Sequence, residues 1–207
     1  MKNNLKSNIF EQHATLSLSF FILTSFLIID ILLSFSTNLL GPNKDENIGA
    51  KHSIYSHTFK KNSKEKIKWN DREYSIFTNS LGFKDSKIKN IPLDTNIHRI
   101  VFIGDSFTEG VLLDYEDTFV GMIDSSFNDM EIDVLNAGRS GYSPIVYWRK
   151  IKHLLEVEKL KFNELVVFLD ISDVREDIYS YTLTPDSTII FKGYPTKITH
   201  IKDFFRK

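Results

Sequence analysis

Hydrophobic and polar residues follow two different patterns along this chain of 207 residues. Near the amino end, residues 14–35 form an almost unbroken apolar run, ATLSLSFFILTSFLIIDILLSF, and about 20 such residues can cross a bilayer. From residue 99 onward, short apolar runs alternate with segments whose apolar residues recur at helical spacing. These patterns predict one membrane-spanning helix followed by an α/β domain over residues 99–207.

The second pattern predicts three strands separated by two helices. The strands are expected at 100–103, 131–138 and 164–172, and the helices at 117–127 and 143–160. Strands that alternate with helices in this way predict a parallel sheet with helices on its faces. The candidate caps are Asp117 or Thr118 for the first helix, and Ser143 followed by Pro144 for the second.

The segment between the apolar run and the α/β domain, residues 36–98, is expected to be an exported linker of irregular structure. Its charge run KKNSKEKIKW at 60–69 is typical of a solvated linker or an exposed hairpin. The same lysines would also suit anionic phospholipid head groups or an acidic polysaccharide. Residues 72–85 alternate between apolar and polar side chains, which predicts a short strand and a loop.

The flanks of the apolar run indicate its orientation. Lys2 and Lys6 precede the run, and basic residues tend to stay in the cytoplasm, so residues 1–13 are expected inside and the rest of the chain outside. A cleaved signal peptide is the alternative, but its apolar core is usually about 7–15 residues long and ends at small residues. An uncleaved single-pass anchor in the cytoplasmic membrane is therefore expected. Asp30 within it is either a proton or partner site, or a carboxylate near enough to the outer interface to reach the head groups.

Composition excludes several kinds of site. The chain has a net charge of −1 and no cysteine, which excludes disulfides and thiolate metal ligands. None of its six histidines pairs with another at a spacing of four residues, and no lysine occurs between 100 and 138, where a phosphate-binding loop would need one. The sequence predicts no metal, no cofactor and no nucleic-acid partner.

Three polar loops follow the three predicted strands: GDSFTEG at 104–110, NAGRSGYSP at 136–144 and DISDVRED at 170–177. The carboxyl ends of parallel strands meet at the ligand-binding edge of such a sheet. Ser106 there is either a turn residue or a nucleophile for acyl transfer. If it is a nucleophile, the N–H groups of Ser106 and Gly141 are candidate oxyanion donors, and Ser172 and Asp173 offer further hydrogen bonds.

These loops resemble the conserved blocks of the SGNH/GDSL hydrolases. The resemblance implies that Ser106, after Asp105, is the nucleophile and that Gly141 contributes to the oxyanion hole. Ser172 stands where the family has an asparagine, and Asn136 and Asp173 are the nearest polar alternatives. TNSLGFKD at 78–85 is similar to a segment of exported SGNH proteins linked to bacterial cell-surface polysaccharides. The implied fold is a three-layer α/β/α, flavodoxin-like domain in which the strands at 100–103 and 165–169 are parallel neighbours.

One family feature is missing from this sequence. The family's Asp-x-x-His, which supplies the base, does not occur after Ser106; His200-Ile-Lys-Asp203 has the reverse order, and His153 falls within a predicted helix. We therefore expect a domain that is incomplete at its carboxyl end or is completed by another polypeptide.

Three functions fit the sequence. The first is an exported, membrane-anchored esterase or O-acyltransferase acting on an acylated glycan or lipid. The second is a non-catalytic envelope module that keeps the fold for binding or assembly, and the third is a membrane-tethered scaffold.

The orientation can be tested with reporter fusions placed after Gly41. Because the basic residues precede the apolar run, a reporter that is active only outside the cytoplasm should be active in this fusion. Activity confined to a reporter that works only in the cytoplasm would contradict the predicted topology.

Overall fold

Residues 13–39, 48–69, 72–127 and 129–193 are described by the computed structural model. The chain divides into two units, residues 1–45 and residues 46–207. The sequence features at Lys2, Lys6 and His200–Asp203 lie outside the described residues.

The first unit contains helix α1, Ala14–Leu39, which is longer than the apolar run predicted from sequence. Its segment Ala14–Leu33 has a mean hydropathy of 2.4 and is long and apolar enough to span a membrane or to act as a signal sequence. Two hydroxyl groups within it donate to carbonyls one turn earlier: Ser19 to Thr15 and Thr24 to Phe20, each at 2.9 Å. These bonds satisfy polar groups that an apolar environment would leave unpaired.

The second unit combines short strands with helices in an α/β arrangement. Its strands are β1 Gly49–His52, β2 Ser56–Phe59, β3 Lys64–Trp69, β4 Arg72–Thr78, β5 Lys84–Asp85, β6 His98–Ile103, β7 Ile132–Asn136, β8 Glu164–Val167, β9 Tyr181–Leu183 and β10 Ile189–Phe191. Its helices are α2 Ser106–Glu109, α3 Phe119–Ser126, α4 Pro144–Glu156 and α5 Ile171–Ser180, with a 3₁₀ turn at Tyr115–Asp117.

The main sheet has the strand order β3-β4-β5-β7-β6-β8. Strand β6 pairs in parallel with β7 on one side and with β8 on the other, from Ile100 opposite Glu164 to Ile103 opposite Val167. The predicted adjacency of the strands at 100–103 and 165–169 is therefore confirmed. The remaining pairs, β3-β4, β4-β5 and β5-β7, are antiparallel, so the sheet is mixed and the expectation of a wholly parallel sheet is wrong.

The mixed character comes from the segment that was expected to be irregular. Strands β3 and β4 form a hairpin, so the charge run at 60–69 belongs to an exposed hairpin rather than a linker. Ile67 packs on the buried Tyr74 and Ile76, while Lys64, Lys66 and Lys68 alternate with it and are exposed. Lysines at the edge of a sheet discourage pairing with other chains, and they obscure the strand pattern when the sequence is read alone.

Two predicted elements end four or more residues earlier in the structure than the sequence indicates, whereas the bounds of the other three differ by at most two residues. The third strand ends at Val167 instead of residue 172, because Asp170 caps helix α5 and forms a capping box with Asp173. The second helix ends at Glu156 instead of residue 160. The predicted cap at Thr118 is confirmed, since its hydroxyl accepts a hydrogen bond from the Gly121 N–H at 3.0 Å.

The parallel strands carry hydrophobic clusters on both faces. On one face, Val101 and Ile103 share a cluster with Val146 and Leu154 of α4. On the other, Phe102 shares a cluster with Val120 of α3. Burial on both faces explains why the core of β6 is continuously apolar in the sequence.

Arg99 is a buried charge that ties the start of β6 to its surroundings. Its guanidinium is bonded to the Asp133 carboxylate at 2.7 Å and to the carbonyls of Pro92 and Lys161 at 2.9 and 3.0 Å. Only 1% of the Arg99 side chain is exposed. Removal of its guanidinium would leave three hydrogen-bond acceptors, the Asp133 carboxylate and the two carbonyls, without this donor.

We predict that Arg99→Met lowers the free energy of unfolding by about 3 kcal/mol, as expected when one partner of a buried ion pair is removed. Urea denaturation of the full chain in detergent micelles would measure it. Arg72→Met is the matched control, because Arg72 is exposed on β4. Equal stability of the two variants would contradict a structural role for Arg99.

Candidate functional site

Ser106 stands at the end of β6, where the chain turns into the short helix α2. Asp105 caps this helix, and its carboxylate accepts a hydrogen bond from the Phe107 N–H at 2.9 Å. Gly104 is required at the turn, since a Cβ there would lie 2.1 Å from the Thr108 hydroxyl. Ser106 is half-buried, and in the described part of the chain neither its hydroxyl nor its N–H has a hydrogen-bond partner. Both groups are therefore available to a ligand.

Asn136, at the end of β7, joins the first polar loop to the second. Its side-chain amide donates to the Thr108 carbonyl at 2.8 Å, and its side-chain oxygen accepts from the Gly138 N–H at 3.0 Å. A Cβ at Gly138 would lie 2.8 Å from the Glu109 nitrogen, so the two loops approach at backbone distance. Asn136 is 1% exposed and positions the loops, which differs from the donor role that the sequence offered for it.

Glu109 and Arg139 form a second link between these loops, and sequence reasoning missed it. The Glu109 carboxylate accepts hydrogen bonds from the Ser140 N–H at 2.5 Å and from the Arg139 guanidinium at 2.9 Å. The guanidinium also lies 4.0 Å from the centre of the Phe59 ring, a cation–π distance. The partners are thirty residues or more apart in the chain, and no local pattern relates them.

Gly141 occupies the third position of a β-turn from Arg139 to Tyr142. The Tyr142 N–H donates to the Arg139 carbonyl at 3.0 Å, and Gly141 has a φ of +79°, which favours glycine. Its carbonyl accepts a hydrogen bond from the Tyr181 hydroxyl. Among the described residues, the Gly141 N–H has no partner, so it is free to donate to a ligand.

The third polar segment, 170–177, was predicted to be a loop but forms the N-cap and the first turns of helix α5, and its acidic residues have structural roles there. Asp173, 1% exposed, accepts hydrogen bonds from the Tyr147 hydroxyl at 3.2 Å and the Asp170 N–H at 2.9 Å. Burial raises the pKa of the Asp173 carboxyl, and the nearby Asp105 charge adds to this effect. Ser172 lies in the first turn of α5, and its N–H donates to Asp170 at 2.6 Å. Asp173 thus supports the start of α5, and the Ser172 hydroxyl remains the candidate donor there.

A cavity of about 930 Å³ adjoins the second loop. Its lining combines the polar residues Arg139 and Ser140 with the apolar Val111 and Phe191. Val111 also donates its N–H to the Ser106 carbonyl at 3.2 Å, which connects the cavity wall to the first loop.

The described part of the chain shows no contact between Ser106 and a histidine. His98 is paired with Glu164 at 2.8 Å, and His153 lies 3.8 Å from Glu158. His52 stacks on Tyr55, and His57 contacts the Ser140 carbonyl at 2.9 Å. The structure therefore brings the first and second loops together without bringing a described histidine to the serine.

Scans against protein-family models and searches of curated proteins and solved structures find no match to this chain. The chemistry of the site is therefore the basis for assigning a function.

The link between the loops can be tested at Glu109. We predict that Glu109→Gln lowers the free energy of unfolding by about 3 kcal/mol, because the Arg139 guanidinium loses its buried anionic partner. Urea denaturation would measure this effect, with Glu156→Gln as the exposed control on α4. A Glu109→Gln protein as stable as the control would show that the ion pair does not hold the loops.

Proposed function

We propose that this protein is a membrane-anchored hydrolase or O-acyltransferase of the SGNH/GDSL type. It acts outside the cytoplasmic membrane on ester bonds of an acylated glycan or lipid, and Ser106 is its nucleophile. One observation carries the proposal: among the described residues, the hydroxyl and N–H of Ser106 and the N–H of Gly141 have no partner. These groups lie in two loops that follow neighbouring parallel strands and are bonded to each other.

The chemistry follows from these groups. The Ser106 oxygen attacks the ester carbonyl carbon, its proton passes to water or to a base supplied by another polypeptide, and the carbonyl oxygen becomes an oxyanion. Collapse of the oxyanion breaks the ester C–O bond, the alcohol leaves with a proton, and the acyl group passes from Ser106 to water or to an acceptor hydroxyl. The N–H groups of Ser106 and Gly141 then donate to that oxyanion, with the Ser172 hydroxyl as a third donor. Donors that are fixed before the reaction stabilise this charge most effectively, because they need no reorganisation.

The three-layer, flavodoxin-like arrangement of the second unit is part of the same proposal. A flavodoxin-like SGNH domain has three layers, and the clusters that α3 and α4 make on opposite faces of the parallel strands support this arrangement. The antiparallel strands β3, β4 and β5 would be an extension of the sheet on the β7 side.

A second candidate function is a non-catalytic envelope module that binds an acyl group with the same loops. The observation that favours it is the environment of the Ser106 hydroxyl, which contacts no base among the described residues. Serine is a poor nucleophile without such a base.

Labelling by a fluorophosphonate separates the two functions. In the full chain, solubilised in micelles, we expect Ser106 to be phosphonylated faster than the exposed Ser126, as measured by peptide mass spectrometry. Because the Ser106 hydroxyl contacts no base among the described residues, we expect turnover of p-nitrophenyl acetate hardly above background, at the residual level that oxyanion donors and binding sustain without a triad.

Two variants complete this test. Ser106→Ala should abolish labelling at the site and remove any turnover above the residual level, and Ser126→Ala should preserve both. Labelling of Ser106 no faster than of Ser126 would favour the binding module. Turnover well above the residual level that Ser106→Ala leaves unchanged would show that Ser106 is not the nucleophile.

A further inference from the structure

The peptide group between Ser140 and Gly141 is held from its carbonyl side by a histidine of β2. The Nε2 atom of His57 lies 2.9 Å from the Ser140 carbonyl oxygen, although the two residues are 83 positions apart. The other bonds to this turn act on neighbouring peptide groups: Glu109 on the Ser140 N–H, and Tyr181 on the Gly141 carbonyl. Among the described residues, His57 is therefore the one hydrogen-bond partner of the Ser140–Gly141 peptide group.

The contact defines the tautomer of His57. A carbonyl oxygen only accepts hydrogen bonds, so Nε2 carries the proton and donates it. The Nδ1 atom lies 3.1 Å from the Ser56 hydroxyl, which can donate to it. Burial lowers the pKa of His57, so the neutral ring that this pattern requires prevails at neutral pH. The Tyr142 hydroxyl donates to the His57 carbonyl at 2.6 Å and helps to fix the residue.

The geometry of a peptide bond transmits this contact to Gly141. In a planar trans peptide the C=O and N–H bonds point in opposite directions, so holding the Ser140 oxygen also orients the Gly141 N–H. This peptide is the central one of the turn, and rotating it by about 180° converts a type II turn into a type I turn. Glycine at the third position tolerates both forms, so the turn alone does not determine the direction of the N–H.

We propose that His57 is a positioning residue: by donating to the Ser140 carbonyl, it directs the Gly141 N–H toward the substrate oxygen. The proposal rests on the proposed function, in which that N–H is an oxyanion donor. Loss of one oxyanion donor costs about 10²–10³ in kcat, and a donor that is only partly misdirected costs less. We expect His57→Leu to lower kcat about tenfold or more with KM little changed, and His57→Gln, which keeps a donor, to recover most of it.

A single NMR signal can report the orientation of this peptide without any activity. Of the nine glycines, only Gly141 follows a serine. Full-length protein labelled with ¹³C at serine carbonyls and ¹⁵N at glycines therefore gives one correlated signal, from the Ser140–Gly141 peptide. In micelles, we expect this signal to shift in His57→Leu and to stay near its original position in His57→Gln. His153→Leu, a half-buried histidine that pairs with Glu158, is the matched control and should leave it unchanged.

The outcomes separate this inference from the proposed function. An unshifted signal in folded His57→Leu, or equal kcat values for the Leu and Gln variants, would overturn the role of His57. If His57→Leu fails to fold, His57→Asn replaces it, because its shorter amide does not reach the carbonyl. Absence of Ser106-dependent labelling in the unmodified protein would reject the proposed function and the catalytic purpose of His57, while the NMR signal would still decide whether His57 holds the peptide.

Discussion

The Glu109 carboxylate is the interaction on which the geometry of the site depends. A carboxylate that is 2% exposed must be paired, because an uncompensated buried charge destabilises the fold by several kcal/mol. Its side-chain hydrogen bonds within the described residues come from the Ser140 N–H and the Arg139 guanidinium, and both of these donors belong to the neighbouring loop. The requirement to neutralise one charge therefore brings the loop after β7 against the loop after β6, three residues beyond Ser106.

The antiparallel strands of the sheet also support the loops that follow β6 and β7. Lys84 in β5 pairs with Asn136 of β7, and its ammonium donates to the carbonyls of Gly110 and Leu113 at 2.8 and 2.7 Å. Burial lowers the pKa of Lys84 to about 8, while the nearby Glu109 favours its charged form. The segment TNSLGFKD thus acts through Lys84 on the chain that follows α2. Residues that precede the parallel strands are part of the support of the site.

The features that the sequence predicted depend mostly on residues close together in the chain, whereas the features that it missed join residues far apart. The β6 strand, its pairing with β8 and the Thr118 cap depend on local patterns or on the alternation of strands and helices, and the structure has these elements at the predicted places. The His57–Ser140 contact joins residues 83 positions apart in the sequence, and no periodicity or motif predicts such a contact. The Asp170–Asp173 capping box was readable in the sequence, but the preceding apolar run favoured a longer strand.

The arrangement separates two requirements of acyl chemistry. In the proposed function, recognition of a carbonyl oxygen needs N–H groups fixed in direction, and the buried or half-buried contacts of Glu109, Asn136 and His57 support such a role. Transfer of a proton needs a base at the serine, a contribution of about 10²–10⁴ in rate. The direction of the N–H donors depends on packing within the chain, whereas proton transfer depends on one contact between the serine and a base. The same pair of loops can therefore serve both proposed functions. An enzyme and an acyl-binding module would differ only in whether a base meets the Ser106 hydroxyl.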